Sequence, residues 1–142
     1  MPEIRIEEEI RAAADAVWPV VSDFAGITRF MAGLEKVEVQ GKGIGAVRTV
    51  TVVGGNKLQE RLEAFDPKAR SFSYSILPGG MPVQNYLATV KLADAGAGRS
   101  RITWSARFDA PGMSEAQVGP LAKGMEQAYG AAVAGLKKLV EK

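Results

Sequence analysis

The chain has 142 residues, 46% of them hydrophobic and 24% charged, which excludes a disordered polymer and fits a single domain spanning residues 1–142. Eighteen Lys and Arg against sixteen Asp and Glu leave a net charge of +2, and Lys137-Lys138 is the one adjacent basic pair, so no electrostatic footprint for nucleic acid is present. Cys and His are both absent, which excludes disulfides, thiolate nucleophiles, His-dependent triads and nearly all transition-metal sites; no metal and no cofactor is expected.

The opening residues Met1-Pro2-Glu3-Ile4-Arg5 lack a basic stretch followed by an apolar one, and no apolar run approaches the ~20 residues of a membrane helix. The expectation is a cytoplasmic chain with no integral membrane segment. Residues 3–10 alternate, with Ile4, Ile6 and Ile10 on one face, as in a half-buried strand. A helical stripe of Val17, Trp18, Val20 and Val21 follows over 12–24, and a second short helix is expected over 27–31, after the break at Gly26.

Strand patterns then occupy the middle of the chain. Val37 and Val39 alternate with polar neighbours, residues 46–53 are rich in β-branched side chains, and Gly54-Gly55-Asn56 signals a hairpin into 57–65. Asp66-Pro67 turns the chain into 70–77, Pro78-Gly79-Gly80 breaks it again, and 83–92 and 101–108 follow across a Gly/Ala turn. Ser114 with Gln117 forms a capping-box pattern, although Gly119 and Pro120 place the regular helix from about Leu121. Leu121, Met125, Ala128, Tyr129, Ala132, Leu136 and Leu139 then recur at helical spacing. The sum is an α+β fold, with a curved antiparallel sheet of about seven strands covered by a long C-terminal helix.

Polar residues on apolar faces carry the chemical information. Alternation puts Glu60 inward with Leu58, Leu62 and Ala64, Arg48 with Val50 and Val52, Glu8 with Ile4 and Ile6, and Tyr86 with Ala88 and Val90. An unpaired charge in a dry core is costly, so each such group either pairs or faces a cavity. Two readings stand for Glu60 and Arg48: polar groups of one pocket, or a structural ion pair near a sheet edge. The terminal helix is rich in small residues, among them Gly124, Ala128 and Gly135, and this also has two readings. They permit close packing on the sheet, or they leave a void beside it.

Several segments in order resemble the START-like (SRPBCC) superfamily with the helix-grip fold. They are Val17-Trp18-Pro19-Val20-Val21-Ser22-Asp23-Phe24, Gly45-Ala46-Val47-Arg48, Glu60-Arg61-Leu62 with Asp66, and Pro78-Gly79-Gly80 with Asn85-Tyr86, followed by the terminal helix. The chain is similar to the bacterial polyketide cyclase/dehydrase and lipid-transport branch, with local similarity to plant abscisic-acid receptors. That resemblance implies a sheet gripping the C-terminal helix, with two short helices after the first strand. It also implies a pocket closed by a gate around Gly54 and Gly55 and a latch around Gly79, Gly80 and Met81. The gate lacks the receptors' Pro, the latch carries Met81-Pro82-Val83 where they have His-Arg-Leu, and no Lys stands near Thr28. The resemblance therefore carries the gated pocket rather than the hormone or its phosphatase partner.

The resulting expectation is a module that binds a small apolar or amphipathic ligand between sheet and helix. Its ligand-binding residues would be Arg48, Val50, Val52, Glu60, Leu62, Tyr74, Ile76, Tyr86, Met125 and Tyr129. Glu60, Arg48 and Tyr86 would orient the polar end of the ligand. The alternative is a cyclase- or dehydratase-like enzyme, with Glu60 and Tyr86 as the leading acid/base candidates and Tyr74 and Asp109 behind them.

Overall fold

The computed structural model describes residues 2–79 and 82–141. β1 (Glu3–Ile10) leads into α1 (Ala14–Val21) and a 3₁₀ helix (Phe24–Arg29). Then come β2 (Leu34–Gln40), β3 (Val47–Val52), β4 (Lys57–Asp66), β5 (Ser71–Ile76), β6 (Gln84–Asp94) and β7 (Ser100–Asp109), followed by α2 (Glu115–Val140). The strands form one antiparallel sheet in the order β1-β7-β6-β5-β4-β3-β2. This is the helix-grip arrangement. β1 and β2, neighbours in the chain, are the two edges of the sheet, so α1 and the 3₁₀ helix connect one edge to the other.

Alternation is cleanest at the centre. Tyr86, Ala88, Val90 and Leu92 of β6 and Ile102, Trp104, Ala106 and Phe108 of β7 are all buried on the face that meets α2. From the helix, Met125, Tyr129, Ala132, Val133 and Leu136 complete the core. β4 departs from the expected pattern past its midpoint. A register shift between Leu62 and Ala64 turns Ala64 outward and sets Phe65 opposite Phe72, with its ring 5.5 Å from that of Trp18. One extra residue at a bulge is enough to reverse every later side chain of the strand.

The helices also differ from their sequence-based bounds. α2 starts at Glu115, well before Leu121, because Gln117 Oε1 accepts the Ser114 N–H at 2.9 Å and caps the first turn. Pro120 is tolerated close to that end, where it deletes a single intrahelical donor. α1 is shorter than expected, and the second helix begins at Phe24 instead of Ile27, held by i→i+3 bonds such as Gly26 N to Asp23 O at 2.9 Å.

The two ends of α2 meet the sheet differently. Toward the C-terminus, Gly135 lies against the backbone of Phe30: an added Cβ would collide with the Phe30 carbonyl oxygen and stand 3.2 Å from its Cα. Close by, Lys137 Nζ reaches Glu8 Oε1 at 2.9 Å, and Glu141 Oε2 accepts the Arg11 N–H at 2.8 Å. Toward the N-terminus, a Cβ on Gly124 would touch nothing within 4 Å. Among the described residues, no helix is long and apolar enough to cross a membrane.

Candidate functional site

The space beside Gly124 is a cavity of about 410 Å³ between the N-terminal half of α2 and the sheet. That volume lies within the range of small-molecule sites, roughly 300–1,000 Å³. Strands β3 to β6 supply Val50, Leu58, Glu60, Tyr74, Ile76 and Tyr86 to its wall. Pro120, Leu121, Gly124, Met125, Ala128 and Tyr129 come from α2, Ile27 and Met31 come from the connection that crosses between the sheet edges, and Leu34 opens β2.

Glu60 and Arg48 are cross-strand partners in the β3–β4 register, and both are buried. Arg48 Nε donates to Glu60 Oε1 at 2.6 Å, and its Nη1 donates to the Phe24 carbonyl at 3.1 Å. The guanidinium carbon lies 4.1 Å from the Phe24 ring centre and 4.9 Å from that of Tyr74. A buried ion pair survives only when further hydrogen bonds and contacts offset desolvation, and here the carbonyl and two aromatic faces do so. Among the described residues, no donor reaches Glu60 Oε2.

Three phenols line the same cavity. Tyr74 Oη accepts the Trp104 Nε1–H at 3.3 Å, and Tyr86 packs its ring 6.4 Å from that of Tyr74. Burial, reinforced for Tyr74 by the Glu60 charge and for Tyr86 first by Tyr74, pushes both phenols well above their ordinary range. Both therefore keep their protons at neutral pH and are suited to donating a hydrogen bond rather than to acting as bases. Tyr129 stacks on Trp104 at 4.7 Å between ring centres, and its Oη is buried with no hydrogen-bond partner among the described residues. Such a group carries a desolvation cost of about 1–3 kcal/mol.

The structure brings seven of the ten expected ligand-binding residues together at this wall: Val50, Glu60, Tyr74, Ile76, Tyr86, Met125 and Tyr129. Arg48 is not on the wall, because its donors turn to Glu60 and Phe24. Leu62 is buried in the core beyond the cavity, and Val52 lies half-buried at the end of β3, opposite Leu34. Glu8 pairs with Lys137 instead of facing the cavity. Asp109 accepts a hydrogen bond from Asn85 Nδ2 at 2.8 Å and is likewise off the wall.

The gate glycines Gly54 and Gly55 form the β3–β4 turn, where Gly55 N donates to Val52 O at 2.9 Å; neither lines the cavity. Gly79 lines a neighbouring groove that shares Ile76 and Tyr86 with the cavity. The remaining latch residues, Gly80 and Met81, lie outside the described residues. Of the wall residues not singled out beforehand, Leu58 shares the alternation of Glu60, and Leu121 and Ala128 share the helical spacing of Met125. Ile27, Met31 and Leu34 had no such signal, since their place depends on how the edge-to-edge connection crosses the sheet.

A family model described as "Polyketide cyclase / dehydrase and lipid transport" matches residues 1–141. Among curated proteins, the abscisic acid receptor PYL2 of Arabidopsis thaliana is 33% identical over 86 residues, covering 57% of this chain and 45% of the receptor. The match therefore spans less than half the receptor's length. Among solved structures, the protein XoxI from Bacillus cereus superposes with a TM-score of 0.88 at 23% identity, covering 99% of this chain and 96% of that one. The ZhuI aromatase/cyclase from Streptomyces sp. R1128 superposes with a TM-score of 0.79 at 22% identity, covering 96% of this chain and 92% of its own. At these identities the structural matches establish the fold.

Proposed function

The chain belongs to the polyketide cyclase / dehydrase and lipid transport family, and from that premise we propose that it binds a small apolar or amphipathic molecule in the cavity between sheet and α2. The observation that carries this reading is the cavity itself. It measures about 410 Å³, its walls are apolar, and one carboxylate, Glu60, is held on its margin by a buried arginine. Sites of this kind take their affinity from apolar contact and their orientation from a few placed polar groups. Met125, Leu121, Ile76 and Val50 supply the contact, and Glu60 with the tyrosines supplies the orientation.

Native mass spectrometry of the intact protein, followed by denaturing extraction, tests the reading. The expected result is a small molecule that travels with the wild type and is lost from Gly124→Leu, whose side chain fills the cavity. Absence of any bound mass, together with no thermal shift across a panel of apolar compounds, would overturn it.

A cyclase or dehydratase reading has one observation in its favour: among the described residues nothing donates to Glu60 Oε2 beside an apolar cavity, the setting in which a carboxylate serves as a base. Tyr74 and Tyr86, held protonated, would then donate to a substrate carbonyl. On this reading a bound polyketide-like substrate is converted on the protein, and Glu60→Gln abolishes conversion while binding survives. Recovery of such a molecule unchanged after prolonged incubation counts against it.

A further inference from the structure

The cavity opens to solvent along one side of α2. Of the wall residues on that helix, Met125 and Tyr129 are buried, whereas Pro120, Gly124 and Ala128 are exposed. Helical spacing continues this exposed side through Lys123, Gln127, Ala131 and Lys138, each of them exposed as well. The carboxylates Glu115 and Glu126 fall roughly opposite Gly124 on the same helix. The side of α2 that borders the opening is therefore built of small residues and carries positive charge.

Across the opening the composition is similar. Val53, in the β3–β4 turn, is 69% exposed, and its N–H donates to Gly33 O at 2.9 Å, which ties the turn to the connection carrying Met31. Arg29 lies in that connection between the wall residues Ile27 and Met31, and Lys57 directly precedes the wall residue Leu58. Lys138 follows Gly135, which packs on Phe30, by about one turn, and so comes to the Arg29 side of the opening. Arg29, Lys57, Lys123 and Lys138 are all exposed and make no ion pair among the described residues. Glu35, next to Leu34, offsets one of them.

An exposed apolar tip among uncompensated cations suits the surface of a charged bilayer, where apolar insertion and attraction to anionic headgroups add together. Lysine, depleted in protein–protein interfaces, supplies three of the four cations, which favours lipid over a protein partner. We propose that the mouth of the cavity docks on an anionic lipid bilayer. Val53 enters the headgroup boundary, the four cations pair with lipid phosphates, and the opening beside Gly124 and Ala128 faces the acyl chains. An apolar ligand then passes between bilayer and cavity without crossing water. The docking needs only this surface, whereas the ligand's passage rests on the binding reading above.

Flotation of the intact protein with vesicles tests the docking, comparing phosphatidylcholine alone with mixtures holding about one-third phosphatidylglycerol. The wild type is expected to float with the anionic vesicles, to ignore the neutral ones, and to be released as salt rises from about 0.05 to 0.5 M. Lys57→Glu with Lys123→Glu should weaken binding by about tenfold or more, and Val53→Ser by about threefold. Lys91→Glu with Arg107→Glu changes the net charge equally, but at exposed positions on the outer face of the sheet, and should cost less than about twofold. Every substituted position is exposed, so each variant is expected to fold, and circular dichroism checks it.

Equal binding to neutral and anionic vesicles, equal losses in the two charge-reversal pairs, or no binding to either vesicle overturns the docking. It falls alone if a small molecule still travels with the wild type in native mass spectrometry. It falls together with the binding reading if none does and no apolar compound shifts the melting temperature.

Discussion

The two halves of α2 use the same residue for opposite ends. Gly135 is small because the Phe30 backbone fills the space a side chain would need, whereas Gly124 is small beside open volume. Around the first, Leu136, Ala132 and Val133 are sealed against the sheet; around the second, Leu121 and Met125 border a cavity. A glycine within a helix costs roughly 1 kcal/mol relative to alanine in either place. At Gly135 that cost permits closer packing, and at Gly124 it preserves a hollow. Tight packing and open volume have thus been separated along one helix.

The largest expected effect lies where the packed and hollow regions meet. Arg48→Leu strands the Glu60 carboxylate in a buried site, and a loss of about 3–5 kcal/mol is expected in urea denaturation. The double variant with Glu60→Leu should recover most of that loss; if it recovers none, the pair is not what holds β3 and β4 at this point. Gly135→Ala comes next, with a loss of about 1–3 kcal/mol, because the obstructing atoms belong to the Phe30 backbone and cannot swing away. An alanine there that left the denaturation midpoint unchanged would erase the contrast between the two ends.

Gly124→Ala should move the other way, gaining about 0.5–1 kcal/mol from helix propensity, since its Cβ meets open space. The smallest effect is alkaline. Tyrosines in the unfolded chain titrate near pH 10, while Tyr74 and Tyr86 titrate higher in the folded one, so the unfolded state loses protons first. Their contribution to stability is complete below about pH 10 and drains away as pH rises from there through the folded values. Melting temperatures recorded upward from about pH 9 should fall more gently in Tyr86→Phe than in the wild type.

Much of this was legible in the residues. Period-two runs in β6 and β7, the glycine turns and the spacing from Met125 to Leu136 describe the sheet and helix without coordinates. Glu60 was readable as inward because the β4 bulge lies beyond it, between Leu62 and Ala64; Ala64, on the far side, was misread for the same reason. The third wall was not readable. Ile27 and Met31 reach the cavity through the path of an irregular connection, and Leu34 through the start of β2 where that path ends, which no local periodicity encodes. Nor does any local signal separate Gly124 from Gly135, since what distinguishes them is another segment's backbone.

The edge-to-edge connection also has a kinetic side. β2 to β7 join as successive hairpins, each closing a short loop, but β1 pairs with β7, and Glu3 faces Arg107 across the ladder. Seating β1 must overcome the entropy of closing a loop of about a hundred residues, a demand that slows folding in proteins rich in distant contacts. Until then β7 presents an unpaired edge, with its N–H and C=O groups open to a strand from another molecule. β1, made before the other strands of this sheet, is thus the one expected to dock last, and the interval before it docks is when this chain is most exposed to aggregation.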